Sequence, residues 1–365
     1  MLWNGSTSGG RLRLAAATET DSGRHVLVVG GAGYIGNVLV RRLLAAGHRV
    51  RVLDKLIYDH GAAIAGVFEE PGFSFVHGDV RLDADVEAAL EGVTDVVLLA
   101  ALVGDPVSKK YPELTREVNV EGAKRVFEAS RRHGVGRFIF TSTCSNYGLR
   151  ESAEPATEES ELAPVSLYAE TKVEFERFLL ESGWDGDPCT TVLRISTAYG
   201  ISQRMRFDLT ISEFTRTLAT GKELLVYDAD TWRPYCHVQD ISAAIATVLD
   251  APVESVRNEV FNVGHSDENY TKRMVVEAVQ GHLGGAGKLS FHEGGVDPRN
   301  YRVSFEKIEA ALGFEARCRV PVAVGRLVEA IRDGAFPDVE QRPIFYSSHT
   351  IPGEDAAAAA RAGED

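Results

Sequence analysis

The chain has 365 residues, 44% apolar and 25% charged, enough for one large core or a large core with a smaller partner. Its net charge of −14 argues against the basic footprint of a nucleic-acid binder, while leaving room for an anionic ligand held by a few placed arginines. No run approaches the roughly 18 apolar residues of a membrane span. The four scattered cysteines, Cys144, Cys189, Cys236 and Cys318, lack the close pairs of a zinc site.

Residues 1–23 are rich in Gly, Ser and Thr and are expected to be a disordered tail. They lack the basic start and apolar block of a secretory signal, and with reduced thiols this predicts a cytoplasmic protein. From there short β-branched runs alternate with amphipathic stretches. Strands are predicted at 25–29, 49–53, 73–77, 95–99, 137–142 and 191–194. Helices are predicted at 37–46, 83–90, 114–134 and 168–182. Strands apolar throughout and alternating with helices predict an α/β fold, a doubly wound parallel Rossmann sheet over residues 24–200. Ligands in such sheets sit at the carboxyl ends of the strands.

After Gly200 the rhythm breaks. Residues 201–220 are polar and then helical, and 222–235 read as short and irregular. Residues 236–264, with a helix at 238–249 and a strand at 260–263, return to the main sheet. Helices follow at 270–283 and 305–312. Segments 201–235 and 265–350 are therefore expected to form a smaller, discontinuous lobe over the strand ends, and 351–365 a second disordered tail.

The first strand runs into Gly30-Gly31-Ala32-Gly33-Tyr34-Ile35-Gly36, and a helix follows. Glycines here permit a tight turn, close approach of a pyrophosphate to backbone N–H groups, and tight helix–strand packing. Asp54 lies 18 residues beyond Gly36 at the tip of the second strand, where a carboxylate hydrogen-bonds the adenine ribose. This favours NAD over NADP, although the neighbouring Lys55 could accept a 2′-phosphate. Asp79 and Val80 follow the third strand within reach of the adenine, where a plain turn aspartate is the other reading.

Tyr168 and Lys172 are four residues apart and share one helix face. A nearby ammonium favours the phenolate and is expected to pull the tyrosine pKa down towards neutrality, where it acts as a general base.

With the glycine turn, Tyr168-Ala169-Glu170-Thr171-Lys172 resembles the extended short-chain dehydrogenase/reductase family, in particular its NAD-dependent nucleotide-sugar epimerase and dehydratase branch. The resemblance covers residues 24–314. It implies cofactor contacts from Leu99, Ala100 and Ala101 after the fourth strand, from Asn119, and from Thr141. Thr141-Ser142-Thr143-Cys144-Ser145-Asn146-Tyr147-Gly148 resembles the family's Ser/Thr-rich segment, whose hydroxyl four residues before the tyrosine maps to Thr143, with Ser142 as the alternative. Arg233 and Arg299 resemble two diphosphate-binding arginines. Ser145, Asn146, Thr197, Asp208 and Leu209 are implied contacts to sugar and diphosphate, and Val226 and Tyr227 to the base. His237 is read as structural.

The resemblance implies hydride transfer to NAD as Tyr168 removes a proton from a sugar hydroxyl, with Lys172 holding the nicotinamide ribose. The Asp-Glu pair of the 4,6-dehydratases is missing before Tyr147, and Ser145 stands where decarboxylases carry glutamate. Cys144 is one residue from the cysteine of C3 and C5 epimerases and remains an open acid/base candidate. The expectation is a 4-epimerase acting on a UDP-, dTDP- or GDP-linked sugar, as a homodimer through the helices at 114–134 and 168–182. A net ketoreductase or dehydrogenase, and a non-catalytic nucleotide sensor, are the alternatives.

Overall fold

The computed structural model describes residues 23–150, 154–181, 188–295, 297–337, 339–346 and 351. The expected tails over residues 1–22 and 352–365 lie outside the described residues.

Seven strands form the main sheet: β1 His25–Val29, β2 Arg49–Asp54, β3 Phe73–His77, β4 Asp95–Leu98, β5 Arg137–Thr143, β6 Cys189–Ile195 and, later in the chain, β10 Glu259–Val263. Their order is β3-β2-β1-β4-β5-β6-β10, parallel at every pairing. Alternate residues of each strand face opposite sides. Val26 and Val28 join a core with Leu39 and Ile241 on one face, and Leu27 and Val29 join one with Val126 and Phe175 on the other. Burial of both faces explains why these strands read as continuous apolar runs.

The covering helices are α1 Gly36–Ala45, α2 Ala62–Ala65, α3 Asp83–Leu90, α4 Asp105–Lys110, α5 Pro112–Arg116, α6 Ala123–Arg132, α7 Leu167–Glu181 and α9 Val238–Asp250. One difference from the periodicity matters for the site. The helix expected over 114–134 is broken: α5 gives way to a π-helical turn, Glu117–Gly122, before α6 resumes. The wider turn points Asn119 inward, where it is buried.

A smaller set of elements covers the strand ends. It contains β7 Thr197–Tyr199, β8 Glu223–Tyr227, β9 Trp232–His237, β11 Asn269–Thr271 and β12 Lys288–His292, with α8 Thr210–Ala219, α10 Lys272–Leu283, α11 Glu306–Leu312 and α12 Val320–Arg332. The stretch 222–235 is thus ordered rather than irregular: β8 alternates buried Leu224 and Val226 with exposed Leu225 and Tyr227. Helix α12 was not anticipated, yet Val320, Val324 and Val328 lie four apart on its buried face. They share a core with Ile211, Phe214 and Val275.

Residue 351, at the head of the expected C-terminal tail, is instead packed. Ile351 is buried with Tyr58, Leu102 and Val107, because an apolar side chain gains about 1.5–3 kcal/mol by leaving water. Among the described residues no helix is long and apolar enough to cross a membrane.

Candidate active site

Strand β1 is flanked by β2 on one side and β4 on the other, so the chain reverses its direction of winding there and opens a crevice at the strand ends. A cavity of about 720 Å³ occupies it. It is lined by Gly30, Gly33, Tyr34, Ile35, Gly36, Asp54, Lys55, Asp79, Val80, Leu99, Ala100, Ala101 and Thr141, and by Thr143, Ser145, Tyr168, Lys172, Thr197, Asp208, Leu209, Arg233 and Arg299.

The glycine turn has a steric reason at each end. Gly30 has φ +84°, and a Cβ there would stand 2.7 Å from Ala100 N. A Cβ on Gly36 would collide with Gly30 O. Helix α1 then starts with no side-chain cap and no acidic residue in its first turn, leaving its positive dipole end to an anion. Asp54 braces this turn as well as lining the cavity: its Oδ2 accepts from Ala32 N at 3.0 Å and its Oδ1 from Leu56 N at 2.8 Å. Lys55 is 3.0 Å from Asp79, which Arg81 also grips. These charges hold the Asp79 carboxyl well below the usual range, against the effect of burial. The residues present fit a dinucleotide diphosphate.

Tyr168, on the first turn of α7, and Thr143, at the end of β5, line the cavity together, and the Thr143 hydroxyl favours the ionised form of Tyr168. Thr143 Oγ1 also accepts from Ser145 N at 3.1 Å. Ser142, the alternative to Thr143, donates to the Glu176 carboxylate at 2.7 Å and is thereby committed. Lys172 is buried, with Nζ 4.4 Å from the Phe140 ring centroid. The expectation that its ammonium draws the tyrosine towards neutrality is corrected by the structure. Burial pushes the Tyr168 hydroxyl up to about 12, partly offset by Thr143, and the same burial pulls Lys172 down to about 7, opposed by Glu176. Desolvation penalises both charged forms, so the protein alone favours a phenol and a partly neutral amine.

Beneath this pair lies a buried network. Arg194 donates to Glu176 from Nη2 at 2.6 Å and from Nε at 3.0 Å, and Asn146 Nδ2 donates to Ser142 Oγ at 3.0 Å. Asn146 is therefore not brought to the cavity: its amide nitrogen serves the network under β5. Cys144 is buried, its thiol directed at Arg194 O and pushed up to about 12 by burial, which removes it as an acid/base candidate. Asn119 is also held elsewhere. Its Oδ1 accepts from Leu102 N at 2.8 Å, and its Nδ2 donates to Leu102 O at 3.0 Å.

Opposite, Arg233 and Arg299 are gathered by Asp297, an unanticipated residue. Arg233 Nη2 donates to Asp297 Oδ2 at 3.0 Å, and Arg299 donates to both of its oxygens at 2.8 and 2.9 Å. Arg299 Nη1 also donates to Ser145 Oγ at 3.2 Å. The base contacts expected from β8 are not brought to the cavity: Val226 is in the small-lobe core and Tyr227 is exposed beside His292. Other lining residues went unnoticed, among them Tyr58, His60, Arg81, Asp105 and Arg204. Arg81 stands two residues from Asp79, a signal that was available; His60 and Arg204 carry none. His237 caps α9, its Nδ1 accepting from Gln239 N, as a structural histidine does.

A parallel Rossmann sheet with a glycine cradle and a Tyr/Lys/Thr group defines an extended short-chain dehydrogenase/reductase. The chain belongs to the NAD dependent epimerase/dehydratase family, whose model matches residues 26–264. It is similar to the UDP-glucose 4-epimerase of Corynebacterium glutamicum, at 29% identity over 79% of this chain and 90% of that protein. Among solved structures it is similar to the UDP-glucose 4-epimerase of Thermus thermophilus in complex with NAD, with 29% identity, TM-score 0.73, and 84% and 99% of the two chains covered. The dTDP-glucose 4,6-dehydratase of Streptomyces venezuelae, solved with NAD bound, is similar at 28% identity and TM-score 0.77, over 86% and 99%.

Proposed function

We propose that the protein is an NAD-dependent epimerase of a nucleoside-diphosphate sugar, acting at C4 through a transient 4-keto sugar. The observation that carries this reading is the convergence of Tyr168, Thr143 and Lys172 on one cavity between a glycine cradle and the arginine pair. When bound, the dinucleotide supplies a hydride acceptor and donor. Tyr168, acting as the phenolate against the burial that opposes it, takes the proton from the C4 hydroxyl and returns it to the other epimer, while Thr143 hydrogen-bonds the same oxygen. Lys172, one turn along α7, holds the ribose of the cofactor. Arg233 and Arg299 address the sugar-nucleotide diphosphate with their remaining N–H groups. The elements from 201–235 and 265–350 serve as the substrate lobe.

The Asp54 carboxylate supports NAD over NADP, as does the pairing of Lys55 with Asp79. The dimer expected from the family resemblance belongs to the same reading, and light scattering of the purified protein tests it. The decisive experiment denatures the purified protein, identifies the released dinucleotide, and screens UDP-, dTDP- and GDP-sugars by NMR. A C4 epimer without net absorbance change at 340 nm is the expected product. Stoichiometric NADH consumption would instead select the net reductase.

A second reading rests on Asp105. Its Oδ1 is buried without a hydrogen-bond partner among the described residues, and its charge opposes ionisation of Tyr168. Such a carboxylate suits proton transfer at a carbon beside the keto group, as water elimination requires. A dehydrated sugar in the same screen, lost in Asp105→Asn, selects this reading.

A further inference from the structure

The segment after β7 is bolted to the glycine turn. Tyr34 donates its hydroxyl proton to Gly200 O at 2.6 Å, Asn37 Nδ2 donates to Ser202 Oγ at 2.8 Å, and Ser202 Oγ donates to Tyr34 O at 2.8 Å. Tyr34 and Asn37 bracket the start of α1, where the cradle offers its N–H groups. Two residues beyond Ser202, Arg204 lines the same cavity, 5% exposed, with its guanidinium 4.8 Å from the ring centroid of Tyr58. Tyr58 in turn lies four residues after Asp54, in the loop that follows β2.

The Nε and Nη2 of Arg204 are buried and have no hydrogen-bond partner among the described residues. A buried guanidinium with unmet donors is costly, and folding gains nothing by retaining it unless a ligand meets it. The neighbourhood compensates the charge only in part. Burial first, and then the like charge of Arg206, pull the Arg204 pKa down to about 10, against weaker support from Tyr58, Asp208 and Asp54. Arg206 itself is committed to Asp208, with Nε to Oδ1 at 3.0 Å and Nη2 to Oδ2 at 2.8 Å.

We infer that Arg204 is a cationic clasp on the diphosphate of the dinucleotide, completing from the second half of the chain a site whose other part is the glycine turn. The inference rests on the reading that the cavity takes a dinucleotide, and it is independent of which sugar reacts. The sugar-nucleotide diphosphate is the competing anion. It has its own arginines, Arg233 and Arg299, whereas Arg204 is tied to the turn and to the loop after Asp54. Such a clasp slows release, as an enzyme needs when it keeps one cofactor through many turnovers.

The test uses the full-length protein with Arg204→Gln and Arg204→Lys. Each is loaded with radiolabelled NAD⁺ and chased with unlabelled NAD⁺; binding of ADP-ribose, adenosine and UDP is measured in parallel. Loss of a charge-assisted pair predicts about 10- to 100-fold faster NAD⁺ release in Arg204→Gln, with ADP-ribose weakened alike. Adenosine and UDP, which lack the dinucleotide diphosphate, should bind unchanged. Arg204→Lys should fall between, since an ammonium keeps the charge without the fork. Freed of dinucleotide, Arg204→Gln should melt no lower than the wild type, because a buried unpaired charge has gone.

Three results overturn the inference. Unchanged NAD⁺ release with weakened UDP would assign Arg204 to the substrate. Lower melting in both variants, with adenosine and NAD⁺ lost together, would make its role structural. A wild type that binds no dinucleotide would end both this inference and the proposed function; one that binds NAD⁺ but forms no epimer ends only the latter.

Discussion

Lys172 and Tyr168 show how one cavity can work against both members of a catalytic pair. Burial pulls Lys172 down to about 7 and pushes Tyr168 up to about 12. The ordinary lysine value is near 10.5, so between about pH 7 and pH 10 the unfolded chain binds more protons than the native one at this site. Stability of the dinucleotide-free protein should therefore rise with pH across that window, and the penalty for charging Lys172 is fully present below it. Lys172→Met should raise the thermal midpoint at pH 7 and flatten the pH dependence. A gain of about 2 kcal/mol corresponds to roughly 2–3 °C in a chain of this size. Differential scanning calorimetry between pH 6.5 and 9.5 checks this, and a midpoint that falls over that range would refute it. Tyr168→Phe should lower kcat by about 10²- to 10⁴-fold while the dinucleotide bound per chain stays constant.

Among the elements, the π-helical turn before α6 does the most for the site. It turns Asn119 towards the loop after β4, where its amide holds both Leu102 N and Leu102 O, and its Nδ2 also reaches Thr171 Oγ1 at 3.2 Å. Asn119 therefore splints α7, which carries Tyr168 and Lys172, against the loop that carries Ala100 and Ala101. Asn119→Ala leaves the two buried peptide groups of Leu102 unsatisfied and should cost about 2–4 kcal/mol in urea unfolding. Periodicity predicted an uninterrupted helix here. An extra residue shifts the phase of an apolar repeat, but the five residues of α5 are too few to set one beforehand, and the destination of Asn119 reveals it. The apolar run Leu224–Tyr227 and the Val320-Val324-Val328 spacing, by contrast, were legible signals of strand and helix.

At the scale of the molecule, the cavity exists because two halves of the chain are latched together. Tyr34 and Val38 beside the glycine turn share an apolar cluster with Met205, Phe207, Leu327 and Phe345, and the Gly200–Ser202 hydrogen bonds run alongside it. Arg233 and Arg299, 66 residues apart, meet through Asp297. Arg299→Ala should raise KM for the nucleotide sugar at least about tenfold, with dinucleotide content unchanged, as loss of a charged hydrogen bond predicts. Initial-rate kinetics with dinucleotide quantitation separates the two effects, and parallel loss of dinucleotide would refute this division of the cavity.

The sequence by itself determined the parallel sheet, the glycine cradle, and the Tyr168–Lys172 face. Each is local: strand and helix periods, a turn that only glycine can make, and a spacing of four residues on α7. It also pointed to Thr143, Arg233 and Arg299 through family resemblance. Tertiary structure alone decided the protonation of Tyr168 and Lys172, the withdrawal of Asn119, Asn146 and Cys144 from the cavity, and the entry of Asp297, Arg204 and Ile351. Those outcomes depend on burial and on charges brought together from distant positions, such as Arg204 over Tyr58. Desolvation and Coulomb interactions act through space, so spacing along the chain carries no record of them.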